Sequence, residues 1–95
     1  MRRVRWTRPA MEDLAAIDAY WQENASDRAD AVLGRIEAAA MFLAEIPEAG
    51  PEFEEIGARK WSIARTRYQL FYRVRDSEIQ ILRARHASEN RRDPS

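Results

Sequence analysis

An α+β fold in the order β-α-α-β-β-β, with an N-terminal helical hairpin packed on a small, mostly antiparallel sheet, is predicted by three observations. Apolar residues recur at helical spacing from Ala10 to Ile46. The pattern switches to period-2 alternation after Gly57, through RKWSIARTRYQLFYRV and IQILRARH. Between the two regimes stand the breakers Pro47, Gly50 and Pro51. Where the hydrophobic period switches from 3.6 to 2, the helices are segregated from the hairpin strands that follow.

Each element follows from its own residues. Val4 and Trp6 alternate with Arg3 and Arg5, a short first strand with one apolar face. Thr7 is placed to cap a helix, and Pro9 at its start forfeits no needed N–H. Ala10, Leu14, Ile17 and Trp21 then form an apolar stripe flanked by Tyr20, with Glu12, Asp13 and Asp18 elsewhere on the wheel, and Asn24 ends it. Ser26 or Asp27 caps a second helix, whose apolar face comprises Ala29, Val32, Leu33, Ile36, Ala40 and Leu43, with Phe42 and Ile46 near its end. Ala38–Ala39–Ala40 carries no bulk, so another element can approach closely there.

The segment EFEEIGARK reads as acidic and irregular, with Gly57 a hinge before the sheet. Beyond it, Tyr68, Leu70, Tyr72 and Val74 share one strand face, and Arg67, Gln69, Phe71 and Arg73 the other. Asp76–Ser77 is the turn into Ile79 and Ile81, where Leu82 and Ala84 break the alternation and suggest a bulge or two-sided burial. One domain over residues 1–95 is expected, with 87–95 a polar, frayed tail.

Composition narrows the chemistry. Sixteen basic and sixteen acidic side chains cancel. Yet residues 1–58 hold six basic and twelve acidic groups, and residues 59–95 hold ten and four. The neutral total argues against bulk coating of nucleic acid, and direct nucleic-acid binding is not expected, although a local anion-binding surface stays open. With no cysteine there are no disulfides, thiolate nucleophiles or cysteine metal sites, which fits a reducing cytoplasm. The single histidine cannot build a multi-histidine site, so neither metal nor cofactor is expected. No apolar run reaches the roughly 18 residues of a membrane span. No phosphate loop, HExxH or Ser/His/Asp pattern occurs.

Several residues carry two readings. Arg65, Arg67, Arg73, Arg75, Arg83 and Arg85 form either a solvated strand face or a basic surface, whose guanidinium forks match carboxylates and phosphates. His86 is either a general base or a strand-end hydrogen-bonding group. Trp6 and Trp61 are core or rim packing, or stacking platforms. Phe71, opposite the Tyr68–Leu70–Tyr72 face, is a partner contact or a second packing layer. Arg91 and Arg92 are tail charges, or grip a partner once ordered.

The pieces VRWTRPAMEDLAAIDAYW, LAEIPEAG, GARKWSIARTRYQLFYRV and IQILRARH, in that order and spacing, resemble the RelE/ParE superfamily of toxins from toxin–antitoxin pairs, on its ParE-like side. The resemblance implies a helical hairpin on a compact sheet, and a type II toxin that inhibits DNA gyrase by protein–protein binding and is neutralised by an antitoxin from the neighbouring gene. The gyrase A subunit is the implied target, and the toxin–antitoxin complex is a hetero-oligomer. RelE-like relatives instead cut mRNA on the ribosome. Their pattern has an arginine where this chain has Gln69 and a C-terminal tyrosine where nothing follows Tyr72, while Arg85 and His86 fall at basic catalytic positions. Loss of one aimed electrostatic donor commonly costs about 10²–10³ in rate, so no catalytic residues are assigned. The mRNA endonuclease and a non-toxic, antitoxin-binding homologue are the alternatives.

On this basis Arg83, Arg85, His86, Arg91 and Arg92 are the candidate target contacts. Leu14, Ile17, Trp21, Phe71, Arg65 and Arg67 are the candidate antitoxin contacts.

Overall fold

The computed structural model describes residues 2–53 and 57–88. Arg91 and Arg92 lie outside them. Strand β1 (Arg3–Trp6) leads into the helical run α1 (Arg8–Glu45), which is broken at Ala25, where φ −164° and ψ 75° leave the helical region. A 3₁₀ turn (Pro47–Ala49) follows, then β2 (Glu52–Phe53), β3 (Ala58–Ser62), β4 (Tyr68–Arg75) and β5 (Glu78–His86).

The break makes α1 a hairpin. An unbroken helix of 38 residues would extend about 57 Å. Yet Arg2 N–H donates to Ala44 O at one end of β1, and Thr7 caps α1 at the other. The four residues of β1 span only about 13 Å, so the helical run must fold back on itself. Asn24 ends the first arm as expected, its side-chain amide donating to Tyr20 O at 2.7 Å. Thr7 does more than cap: its hydroxyl also donates to Ile81 O at 2.8 Å and ties the helix start to β5.

The five-stranded sheet has the order β1-β5-β4-β3-β2, with β1 parallel to β5 and every other pair antiparallel. Two features depart from the sequence expectation. The supposedly irregular EFEEIGARK contributes β2, a two-residue edge pairing Glu52 with Arg59 and Phe53 with Ala58. Gly57, at φ 61°, occupies the left-handed region that glycine enters without a Cβ clash. Of the bulge and the two-sided burial that the sequence allows, the register shows the bulge. Tyr72 pairs with Ile81 and Phe71 with Arg83, which leaves Leu82 as the extra residue. Backbone pairing continues to Ala87, whose N–H donates to Arg67 O at 2.7 Å.

The core lies between the hairpin and one sheet face. Ile36, Leu43, Leu70, Tyr72, Ile79 and Ile81 are wholly buried there. Each buried aliphatic side chain contributes about 1.5–3 kcal/mol, so docking rather than helix propensity holds the hairpin. Ala39, Ala40 and Ala44 bring the second arm close to the sheet, as the small-residue run suggested. The apolar face of that arm rotates away from the expected set at its end. Phe42 and Ile46 stay 38% and 49% exposed, and Phe42 packs laterally on Trp61 at 5.3 Å. Among the described residues no helix is long and apolar enough to cross a membrane.

One buried hydrogen-bond junction anchors the connection from helix to sheet. The Tyr72 hydroxyl donates to Pro47 O at 2.6 Å and accepts from Gly50 N–H at 3.0 Å. Burial raises the Tyr72 phenol pKa above its usual value, partly offset by the Gly50 hydrogen bond and the Arg59 charge. A Cβ on Gly50 would stand 2.6 Å from Lys60 O and 2.8 Å from the Tyr72 hydroxyl, so only glycine fits. Arg59 closes the turn from outside, donating to Gly50 O at 2.7 Å.

Candidate functional site: an arginine-lined cleft

Where the helical hairpin overhangs the far end of β4 and β5, a cleft of about 970 Å³ opens. Ile17 and Trp21 from the first arm and Val32 from the second form its apolar side, with Tyr68 and Ala84 from the sheet. Arg28 and Arg35 stand on the helical wall. Arg65 and Arg67 face it from the β3–β4 connection, and Arg83, Arg85 and His86 come from β5.

The strand ends are held in place by local chemistry. Asp13 sits where β1 has ended and the edge of β5 would otherwise be open. Its carboxylate accepts from Ala84 N–H at 2.9 Å and from Arg83 Nε and Nη2 at 2.8 and 2.9 Å. One side chain thus continues the ladder beyond β1 and takes a forked guanidinium, a pairing stronger than a neutral hydrogen bond. Although it lies off the apolar stripe of the wheel, the Asp13 side chain is only 16% exposed and bridges α1 to β5.

Trp21 Nε1 donates to the Tyr68 hydroxyl at 3.1 Å, and His86 meets the Tyr68 ring edge-on at 5.3 Å. The β3–β4 connection is braced by Thr66, whose hydroxyl donates to Ile63 O at 2.9 Å and accepts from Tyr68 N–H at 3.0 Å. Arg65 within it has φ 65°, a conformation that glycine or asparagine adopts at lower cost.

Seven of the candidate residues, drawn from both sets, converge on this one cleft. Ile17, Trp21, Arg65, Arg67, Arg83, Arg85 and His86 all line it. Leu14 instead packs, half-buried, against the core. Phe71 is on the opposite sheet face, 8% exposed and 5.9 Å from the ring of Phe53, so it is the second packing layer rather than an open contact. A partner on that face would meet Phe53 first.

His86 Nδ1 accepts from Ser88 N–H at 3.2 Å and lies 2.7 Å from Ser88 Oγ. In the neutral ring, accepting from Ser88 N–H at Nδ1 puts the proton on Nε2. Among the described residues no group of three or more His, Asp or Glu side chains could hold a metal ion.

Arg28 and Arg35 were missed by the sequence reading, which counted the first part of the chain as acidic. A signal was there. Between Arg8 and Arg59 they are the only basic residues, and seven positions put them two turns apart on one helix face.

The comparisons with known proteins agree with this architecture. Residues 4–91 match the family model for the ParE toxin of the type II toxin–antitoxin system parDE. The chain is 34% identical over 86 residues to a Sinorhizobium fredii protein named "Putative toxin Y4kP", covering 90% of this chain and 88% of that protein. It superposes on a chain of the chromosomal ParDE toxin–antitoxin system from P. aeruginosa with a TM-score of 0.79 and 29% identity, over 90% of this chain and 96% of the other. With nearly its whole length matched and the strand–hairpin–sheet order intact, the chain belongs to the ParE family of type II toxin–antitoxin toxins.

Proposed function

We propose that this toxin arrests growth by binding DNA gyrase through the A subunit and blocking the rejoining of cleaved DNA. We propose also that a cognate antitoxin encoded beside it is the neutralising partner. Membership of the ParE family is the observation that carries this reading. Target contact is assigned to Arg83, Arg85 and His86 at the cleft, together with Arg91 and Arg92. The antitoxin is assigned an acidic, amphipathic segment that covers Ile17 and Trp21 with its apolar side chains and meets Arg65 and Arg67 with its carboxylates. Because Ile17, Trp21, Arg65 and Arg67 line the same cleft as Arg83, Arg85 and His86, a segment seated on the first group also covers the second. Neutralisation then follows from occlusion, without a change in fold.

Viable counts after induction of this chain alone, against co-expression with the neighbouring open reading frame, test the pair. Death relieved by the neighbour supports the reading. Isothermal titration showing no binding between the two products would end the partner assignment. A supercoiling assay with purified gyrase tests the target, and an Arg83→Ala/Arg85→Ala protein that folds and stays equally toxic would remove the contact assignment. Intact supercoiling accompanied by specific transcript cleavage would favour the mRNA endonuclease alternative, for which Arg85 and His86 beside Tyr68 are the supporting placement.

A further inference from the structure

We infer that this chain associates head to tail, the open face of the sheet in one copy seating on the outward face of the helical hairpin in the next. This goes beyond the proposed function. The charged residues that carry it are none of those assigned to the antitoxin or the target, so both assignments stand as they are.

The charge that cancels in the sum does not cancel in space, and strand register places its positive half. Lys60, Phe71 and Arg83 lie side by side across β3, β4 and β5, on the face away from the hairpin. The next row is Arg73, Gln80 and Arg5, and the one after it Arg75, Glu78 and Arg3. Arg83 is held by Asp13. That leaves Arg3, Arg5, Lys60, Arg73 and Arg75 against one strand carboxylate on this face, Glu78, among the described residues. Glu78 lies 3.5 Å from Arg5, and among the described residues no ion pair engages Arg3, Arg73 or Arg75. The ring of Phe53, 36% exposed, stands at the margin of these rows with Lys60 Nζ 4.8 Å from its centroid.

The hairpin carries the opposite sign on its outward side. Asp30, Gly34, Glu37, Met41 and Glu45 recur at intervals of three or four, which aligns them in one ridge of the second arm, and all are exposed. Glu12, Ala15, Ala19 and Glu23 form a second exposed ridge on the first arm. None of these five carboxylates has an ion-pair partner among the described residues, and Arg28 and Arg35 line the cleft instead. Between Glu37 and Glu45, the half-exposed Met41 offers a thioether of the kind that packs on an aromatic edge such as that of Phe53. A second copy is the occupant that satisfies both faces at once. Its net charge of zero gives no long-range repulsion between copies. Sheet on sheet, or hairpin on hairpin, would set like charges together, which selects the head-to-tail arrangement. Such a contact is heterologous, so each pair keeps one unused face of each sign and can accept a further copy.

Analytical ultracentrifugation of the whole chain, across protein concentration and salt, is the test. The parent should exceed the mass of one chain, 11.1 kDa, at about 20 mM salt and return to it at about 0.5 M, where the Debye length is roughly 4 Å. Arg73→Thr/Arg75→Thr removes charge from the sheet face and Glu37→Gln/Glu45→Gln from the hairpin face. Each variant alone should self-associate about 10-fold more weakly than the parent. An equimolar mixture of the two should recover the parent's affinity but stop at a dimer, since each supplies the one face that the other lacks. The four side chains lie at the surface without an ion pair among the described residues, and circular dichroism checks that both variants keep the parent's fold. A parent that is monomeric under every condition, or that associates equally at high salt, overturns the inference. A mixture that associates no better than either variant alone, or that grows past a dimer, overturns it too. Labelled polyglutamate held by a monomeric parent and lost in Arg73→Thr/Arg75→Thr overturns it and reassigns the sheet face to an acidic partner protein. Antitoxin titration and the supercoiling assay read other residues, so this inference and the proposed function fail separately.

Discussion

Removing a single oxygen at the centre of the molecule should reveal how the hairpin is fastened to the sheet. In Tyr72→Phe the ring still fills its wholly buried site. Pro47 O loses its 2.6 Å donor and Gly50 N–H its 3.0 Å acceptor. Both residues are buried, so water does not readily replace the lost partner. A buried polar group left unsatisfied costs about 1–3 kcal/mol, and sparing the hydroxyl its own desolvation returns part of that. The expected net loss is about 2–3 kcal/mol. With a urea slope of about 1–2 kcal/mol per molar for a domain this small, the midpoint should fall by roughly 1–3 M with the slope preserved. Tryptophan fluorescence during urea unfolding reads it. A midpoint equal to that of the parent would show that the junction contributes no net stability and would refute this account of the helix-to-sheet connection. The phenol supplies a second check. Its folded pKa is raised above the unfolded value near 10, so its contribution is fully present below that pH and is lost as pH rises through and beyond it. The gap in stability between parent and Tyr72→Phe should therefore narrow above pH 10, and a gap that widens there would reverse the sign of the argument.

Other outcomes follow from the same geometry. Gly50→Ala should destabilise by about 1–3 kcal/mol, since the new methyl would meet Lys60 O at 2.6 Å; an unchanged thermal midpoint would contradict that. Asp13→Ala removes the acceptor of Ala84 N–H and the partner of Arg83, and should cost about 1–3 kcal/mol, with the half-exposed guanidinium keeping the figure toward the lower end. Hydrogen exchange in that variant should accelerate at Ala84 before it does so at Ile79 or Ile81, whose neighbours in β1 remain paired. Arg65→Gly relieves a left-handed arginine and should raise the unfolding midpoint slightly while weakening antitoxin binding measured by titration. Equal antitoxin affinity in that variant would remove Arg65 from the interface.

Local order was largely legible in the residues themselves. The Ala10–Trp21 and Ala29–Leu43 stripes, the alternation from Tyr68 to Val74 and the break at Leu82 are repeats over a few positions, and backbone geometry converts such repeats directly into one buried face. Even the bulge was readable, because an extra residue shifts the parity of Ile79 and Ile81 relative to Ala84. What the tertiary structure alone decided is non-local. No periodicity says that β1 lies parallel to β5, or that Glu52–Phe53 closes the opposite edge. Nor could it say that Asp13 reaches across to Arg83, or that Arg28, Arg35, Arg65 and Arg67, spread over forty positions, surround one cleft. A side chain's face is set by its immediate neighbours along the chain. Its company is set by which faces must bury one another, and that becomes visible only once the hairpin is docked on the sheet.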